Sequence, residues 1–155
     1  MLRKDTVTDP QIIRDAFNED RTQMTLMLAR KMNVPEIEVI RALEGDLAQE
    51  LEFTRWEEII RSFEEFGNVH VIVSNGATTL EAFGQLGKFS NTDGFFNVQS
   101  KSLDMHIRSW ELASIFAFRK PSLTDGREAL SFQFYDRRGE SAFKVFLTFG
   151  GHDPS

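Results

Sequence analysis

Residues 54–76, TRWEEIIRSFEEFGNVHVIVSNG, contain the change of period that decides the fold. Up to Phe66 the apolar side chains recur at helical spacing. Trp56, Ile59, Ile60 and Phe63 share one face, and Glu57, Glu58, Arg61 and Glu64 take the other, as a 3.6-residue repeat requires. Past Gly67 the period is two. Val69, Val71 and Val73 alternate with His70, Ile72 and Ser74, and the run meets Asn75-Gly76, a strong hairpin dipeptide. The valine face is the better core, so His70 is expected to point away from it.

The same contrast holds outward in both directions. Asp9-Pro10 starts a first helix with Ile12, Ile13, Ala16 and Phe17 inward. A second helix buries Met24, Met27, Leu28 and Met32 and stops near Asn33. Pro35 opens a third, with Ile37, Ile40 and Leu43 buried and Gly45 at its end. Residues 46–53 fit a loop or a helix. Downstream, strands are expected over 77–83, 95–99, 105–110, 113–118, 130–135 and 142–149, the last two joined by Asp136-Arg137-Arg138-Gly139. Pro121 stops the fourth of these, and the tail 150–155 reads as frayed. No internal repeat or low-complexity segment interrupts the chain. The class is α+β: N-terminal helices packed on a large antiparallel sheet. One domain spans 1–155, mainly helical over 1–66 and mainly sheet over 67–149.

Composition narrows the function. A net charge of −6 over 155 residues argues against a general nucleic-acid binder, which needs a basic footprint. Residues 26–43, LMLARKMNVPEIEVIRAL, have a helix-turn-helix outline, but the second helix offers Glu36, Glu38 and Glu44 against Arg41 alone. Phosphate would repel it, so a helical pair covering the sheet is the better reading. With no cysteine, thiolate chemistry is excluded. No secretion signal and no run of about 18 apolar residues is present, so a cytoplasmic protein without membrane contact is expected. Fifteen phenylalanines against two tryptophans and one tyrosine point to a phenylalanine-rich sheet core. Some should lie at an interface, in a homodimer.

Chemistry concentrates in residues 94–108, GFFNVQSKSLDMHIR. Alternation sends Met105 and Ile107 to one face and His106, Arg108 and Trp110 to the other. An imidazole, a guanidinium and an indole in a row suit a flat, anionic, aromatic ligand with a metal centre, as haem is. A hydrogen-bonded structural histidine is the competing reading. If the His70 strand joins the same sheet with its face aligned, both imidazoles and Arg108 surround one concave surface. Asp104 and His106 supply too few ligands for zinc, and His152 sits in the tail. No nucleophile elbow, phosphate loop or metalloprotease helix is present, so nothing here reads as an enzyme.

In order along the chain, Phe66-Gly67-Asn68-Val69, Gly94-Phe95-Phe96-Asn97, His106-Ile107-Arg108 and the closing GESAFKVFL strand at 139–147 resemble the bacterial haem-utilisation carriers of the HutX/ChuX type. These are similar to one half of the larger HemS/ChuS haem proteins. The resemblance implies an α+β fold, a two-fold dimer mimicking the double-domain relatives, and haem in a cleft. It also implies intracellular haem storage, or delivery to a haem-degrading enzyme. By motif, His106 matches a family haem-binding histidine. The family's second histidine falls on Ser74, which cannot replace imidazole on iron. Either His70, earlier on the same face, substitutes for it, or binding is weaker or lost. The expectation is therefore a cytoplasmic haem carrier with His106 on iron, His70 as candidate second ligand and Arg108 as propionate partner. Two other readings stand beside it: a non-enzymatic dimeric interaction or regulatory protein that kept the fold and lost haem, and a haem-processing enzyme.

Overall fold

Asp9 caps the first helix, its carboxylate accepting from the Gln11 amide at 2.9 Å, with Pro10 where its missing N–H costs nothing. In the computed structural model, which describes residues 8–121 and 127–147, three helices follow one another: α1 (Pro10–Asn18), α2 (Thr25–Met32) and α3 (Glu36–Ala42). Asn33, in the left-handed region at φ 57°, ends α2 as the sequence predicts. Helix α4 (Trp56–Ser62) is flanked by 3-10 turns at Phe53–Arg55 and Phe63–Phe66. Among the described residues no helix is long and apolar enough to cross a membrane.

Among the described residues nine strands make two antiparallel sheets. They are β1 (Ala48–Leu51), β2 (Asn68–Ser74), β3 (Thr79–Gln85), β4 (Phe89–Thr92), β5 (Phe95–Gln99), β6 (Asp104–Arg108), β7 (Leu112–Pro121), β8 (Glu128–Asp136) and β9 (Ser141–Leu147). The large sheet runs β1-β7-β8-β9-β2-β3, and the small one β4-β5-β6. The α+β class with a large antiparallel sheet is as expected. The undecided 46–53 segment supplies edge strand β1, paired with β7, and the polar strand β4 went unpredicted.

Both faces of the large sheet are apolar. Register puts Ala117 opposite Phe132 and Ile115 opposite Phe134, so Phe132 and Phe134 share one face and Phe116 and Phe118 take the other. The first face joins Val69, Val71 and Val145 in a core closed by α4 and by Phe96, Val98 and Ile107 of the small sheet. Across the second, Phe116, Phe118 and Tyr135 are covered by Ile13, Phe17, Leu28, Ile37 and Ile40 of α1–α3. The apolar packing of that helical layer is on β1, β7 and β8. The matching face of β9, β2 and β3 stays half-buried to exposed.

Several local expectations need correction. Ile12, Met24 and Met27 are exposed, Met27 by 61%. The Thr25 hydroxyl donates to the buried Glu36 carboxylate at 2.7 Å, which turns Thr25, Leu28 and Ala29 inward instead. Val73 is likewise exposed, beyond the reach of the small sheet. The hairpin after β2 is a four-residue loop rather than a two-residue turn, because the Asn75 side chain accepts from the Ala77 and Thr78 amides at 2.9 and 2.8 Å. The tail 150–155, with His152, lies outside the described residues.

Phe63 ties the first core together, meeting Phe132 at 5.2 Å and Phe134 at 6.2 Å between ring centroids. Phe63→Ala should cost about 3–5 kcal/mol in urea unfolding, whereas Met27→Ala, at a position 61% exposed, should stay within about 0.5 kcal/mol of the parent.

Candidate functional site

His106 lies in β6 opposite Asn97 of β5, and Asn97 sets its orientation. The buried Asn97 amide donates to Ser90 Oγ at 3.3 Å, which turns its carbonyl oxygen toward His106 Nδ1, 2.7 Å away. Nδ1 is therefore the donor, and in the neutral ring Nε2 carries the lone pair. Nε2 is 3.2 Å from Asp104 Oδ1, on a carboxylate 70% exposed. Two residues along the same exposed face, the Arg108 guanidinium lies 5.2 Å above the Phe95 ring. Trp110 has left the strand for a 3-10 turn at Ser109–Glu111, yet its indole meets Phe95 edge-on at 5.7 Å. Gly94, at φ 85°, permits this, since a Cβ there would sit 3.2 Å from the indole. Imidazole, guanidinium and indole do share a surface, with Ile107 buried behind them.

His70 is elsewhere. Its ring stacks on Phe83 at 4.2 Å and is 6.0 Å from Phe146, both on flanking strands. Nε2 is 2.7 Å from Glu81 Oε1, an ion-pair distance without the alignment of a hydrogen bond. The premise that His70 and His106 line one concave surface fails within a single chain. Their strands belong to different sheets, and the neighbours Val71 and Ile107 both enter the core between those sheets. Each imidazole points away from that core.

Beside His70's face lies a cavity of about 400 Å³ between α2, the start of α3 and the uncovered strands, lined in part by Ile72, Ser74, Phe118 and Phe146. Ser74 is engaged locally, its hydroxyl 3.0 Å from Thr79 Oγ1 and accepting the Gly76 amide at 3.2 Å. The inner wall is polar. Lys144 donates to Glu36 Oε2, Tyr135 donates to Gln133, and Gln133 donates to Ser131 at 3.1 Å. Burial pushes the Tyr135 phenol well above its ordinary pKa, and the Glu36 and Glu140 carboxylates add to this. Sequence reading missed the Glu36–Lys144 pair, which spans 108 residues and follows no local pattern.

Helices on half of one sheet face and a small sheet across the other define an α+β layered domain. Residues 33–154 match the family model described as a haemin-degrading HemS.ChuX domain, and the chain belongs to that family, the one its ordered motifs resemble. It is similar to HutX of Vibrio cholerae, an intracellular heme transport protein, at 23% identity over 94% of this chain and 76% of HutX. A solved protein of Erwinia carotovora superposes with a TM-score of 0.82 at 21% identity, covering 90% of this chain and 86% of that one. The heme-binding protein ChuX superposes at 0.77, with 21% identity and the same two coverages.

Removing one member of the buried ion pair leaves the other charge uncompensated. Lys144→Met should cost about 3–5 kcal/mol. Adding Glu36→Gln to it should recover most of that loss, read from denaturant midpoints at constant slope.

Proposed function

We propose that this protein carries haem inside the cell, in the cytoplasm, for storage or for delivery to a haem-degrading enzyme. His106 is the iron ligand and Arg108 the propionate partner. The supporting observation is the Asn97–His106 bond, which holds the ring by Nδ1 and turns Nε2 outward toward Asp104, where it is the ligand atom once that carboxylate moves aside, the arrangement that orients metal-binding imidazoles. Asp104 is exposed and rotates away at small cost, while Phe95 and Trp110 supply apolar contact. Family membership and the transport role of HutX point the same way. His70 reaches the same iron only from a second copy, since the core separates it from His106 in one chain. A homodimer is part of the reading: β3 is an open sheet edge, and Leu80, Phe83, Val73 and Phe66 stand exposed on and beside it.

Ser74, tied into its hairpin, favours a second reading, a dimeric interaction or regulatory protein that has lost haem. Membership of a haemin-degrading family favours a third, a haem-processing enzyme, which would bleach bound haem when a reductant is added.

Hemin titration should saturate near one per chain with a Soret shift. His106→Ala should abolish that shift with unchanged circular dichroism, and an unaltered titration refutes the assignment. Ser74→His should tighten binding or change the iron spin state if that position faces the iron. Light scattering should give about twice 17.8 kDa at low and high salt alike, since salt screens ion pairs and not apolar burial. A monomer mass in both buffers refutes the dimer.

A further inference from the structure

On the outer face of the small sheet, Ser90 of β4, Asn97 of β5 and His106 of β6 form one row across the strands. Thr92, Phe95 and Arg108 make the row on one side, and Gln99 and Asp104 the row on the other. His106 Nδ1 meets the Asn97 amide oxygen at 2.7 Å, and the nitrogen of that amide is spent on Ser90 Oγ at 3.3 Å. The amide cannot turn over without losing both contacts. Asn97 is 5% exposed, so these two neighbours, and not water, fix which way it points.

The acceptor on Nδ1 is neutral, and its charge governs how strongly Nε2 can donate to a metal. A carboxylate in that place draws the Nδ1 proton toward itself and raises the basicity of the ligating nitrogen. An amide oxygen draws it far less. Strong donation stabilises ferric iron and assists O–O cleavage, while a weaker donor suits a ligand that must be given up. The acid nearest the ring, Asp104, lies 3.2 Å from Nε2, on the other side. Ser90, Thr92, Phe95 and Gln99, the residues facing outward around Asn97, bring no charge. Burial accounts for the residue type, since a carboxylate at this depth would lose its hydration, whereas the amide is satisfied by its two partners.

We propose that Asn97 is a positioning residue that makes His106 a neutral, weakly donating iron ligand, which fits the site for holding and handing on haem and not for activating oxygen. This rests on the haem reading of His106, and it bears on the choice between a carrier and a haem-processing enzyme.

Two measurements test it, one of them without haem. Nitrogen NMR of the haem-free protein above pH 8 should show the His106 proton on Nδ1. Asn97→Leu should move it to Nε2, where Asp104 is the remaining acceptor, and should weaken hemin binding about 10–100-fold, the range for lost outer partners of metal-binding histidines. In hemin-loaded protein, Asn97→Asp should lower the iron reduction potential by about 59 mV, a tenfold change for one electron. Gln99→Glu adds a carboxylate one row away, opposite Asp104, and should shift the potential by less than half as much. Where Asn97→Asp folds poorly, Ser90→Ala takes its place. It frees the amide to turn, and should weaken hemin and the Nδ1 signal in the same direction as Asn97→Leu, by less. The proposal is overturned by an Nε2 proton in the parent, by a potential that ignores Asn97→Asp, by an equal shift from Gln99→Glu, or by Ser90→Ala behaving as the parent. Each of these leaves the Soret test of His106 standing. A Soret titration unaltered in His106→Ala overturns the iron assignment itself, and this proposal with it.

Discussion

Phe116 and Phe118 leave the six-stranded sheet on one face and Phe132 and Phe134 on the other, so the sheet must be covered twice. Burying apolar surface is the dominant favourable contribution to folding, about 25 cal/mol per Å², and the remaining elements are arranged around that need. Helix α4 and the three-stranded sheet close one face. Helices α1–α3 close the other, but three short helices span only half its width. The uncovered half is where the cavity, His70 and the exposed edge strand are found.

The cover on the helical side is oriented by polar contacts inside an apolar layer. Thr25 and Lys144 both reach Glu36, so α2, the start of α3 and the middle of β9 are held at one carboxylate. Such a pair costs desolvation and is weak evidence for stability. Its effect is on orientation, since any rotation of α2 leaves a buried charge short of partners. That is why Met24 and Met27 face water while Thr25 faces the core.

The small sheet works differently. Phe96, Val98 and Ile107 anchor its inner face in the core, and alternation then obliges Asn97, His106 and Arg108 to occupy the outer face. One buried amide, Asn97, couples the two functions, since it satisfies the strand interior through Ser90 and orients the imidazole outside. A surface with a fixed ring nitrogen, a guanidinium and two aromatic rings follows from packing alone, before any ligand is considered.

Much of this was legible along the chain. The change of period at Gly67, the helix stop at Asn33, the outward face of His106 and Arg108 and the serine at position 74 all follow from local pattern, because a side chain's direction relative to its own helix or strand is set by its immediate neighbours. What alternation cannot state is which sheet a strand joins. His70 and His106 each face away from apolar neighbours, as their patterns require, yet only strand pairing put them on different sheets with a core between. Strand β1 went unassigned because AQEL has no strong period of its own and is a strand through its pairing with β7. The Glu36–Lys144 pair, the half-covered sheet face and the cavity beneath it were decided by the tertiary structure, since each depends on elements distant in sequence competing to bury the same surface.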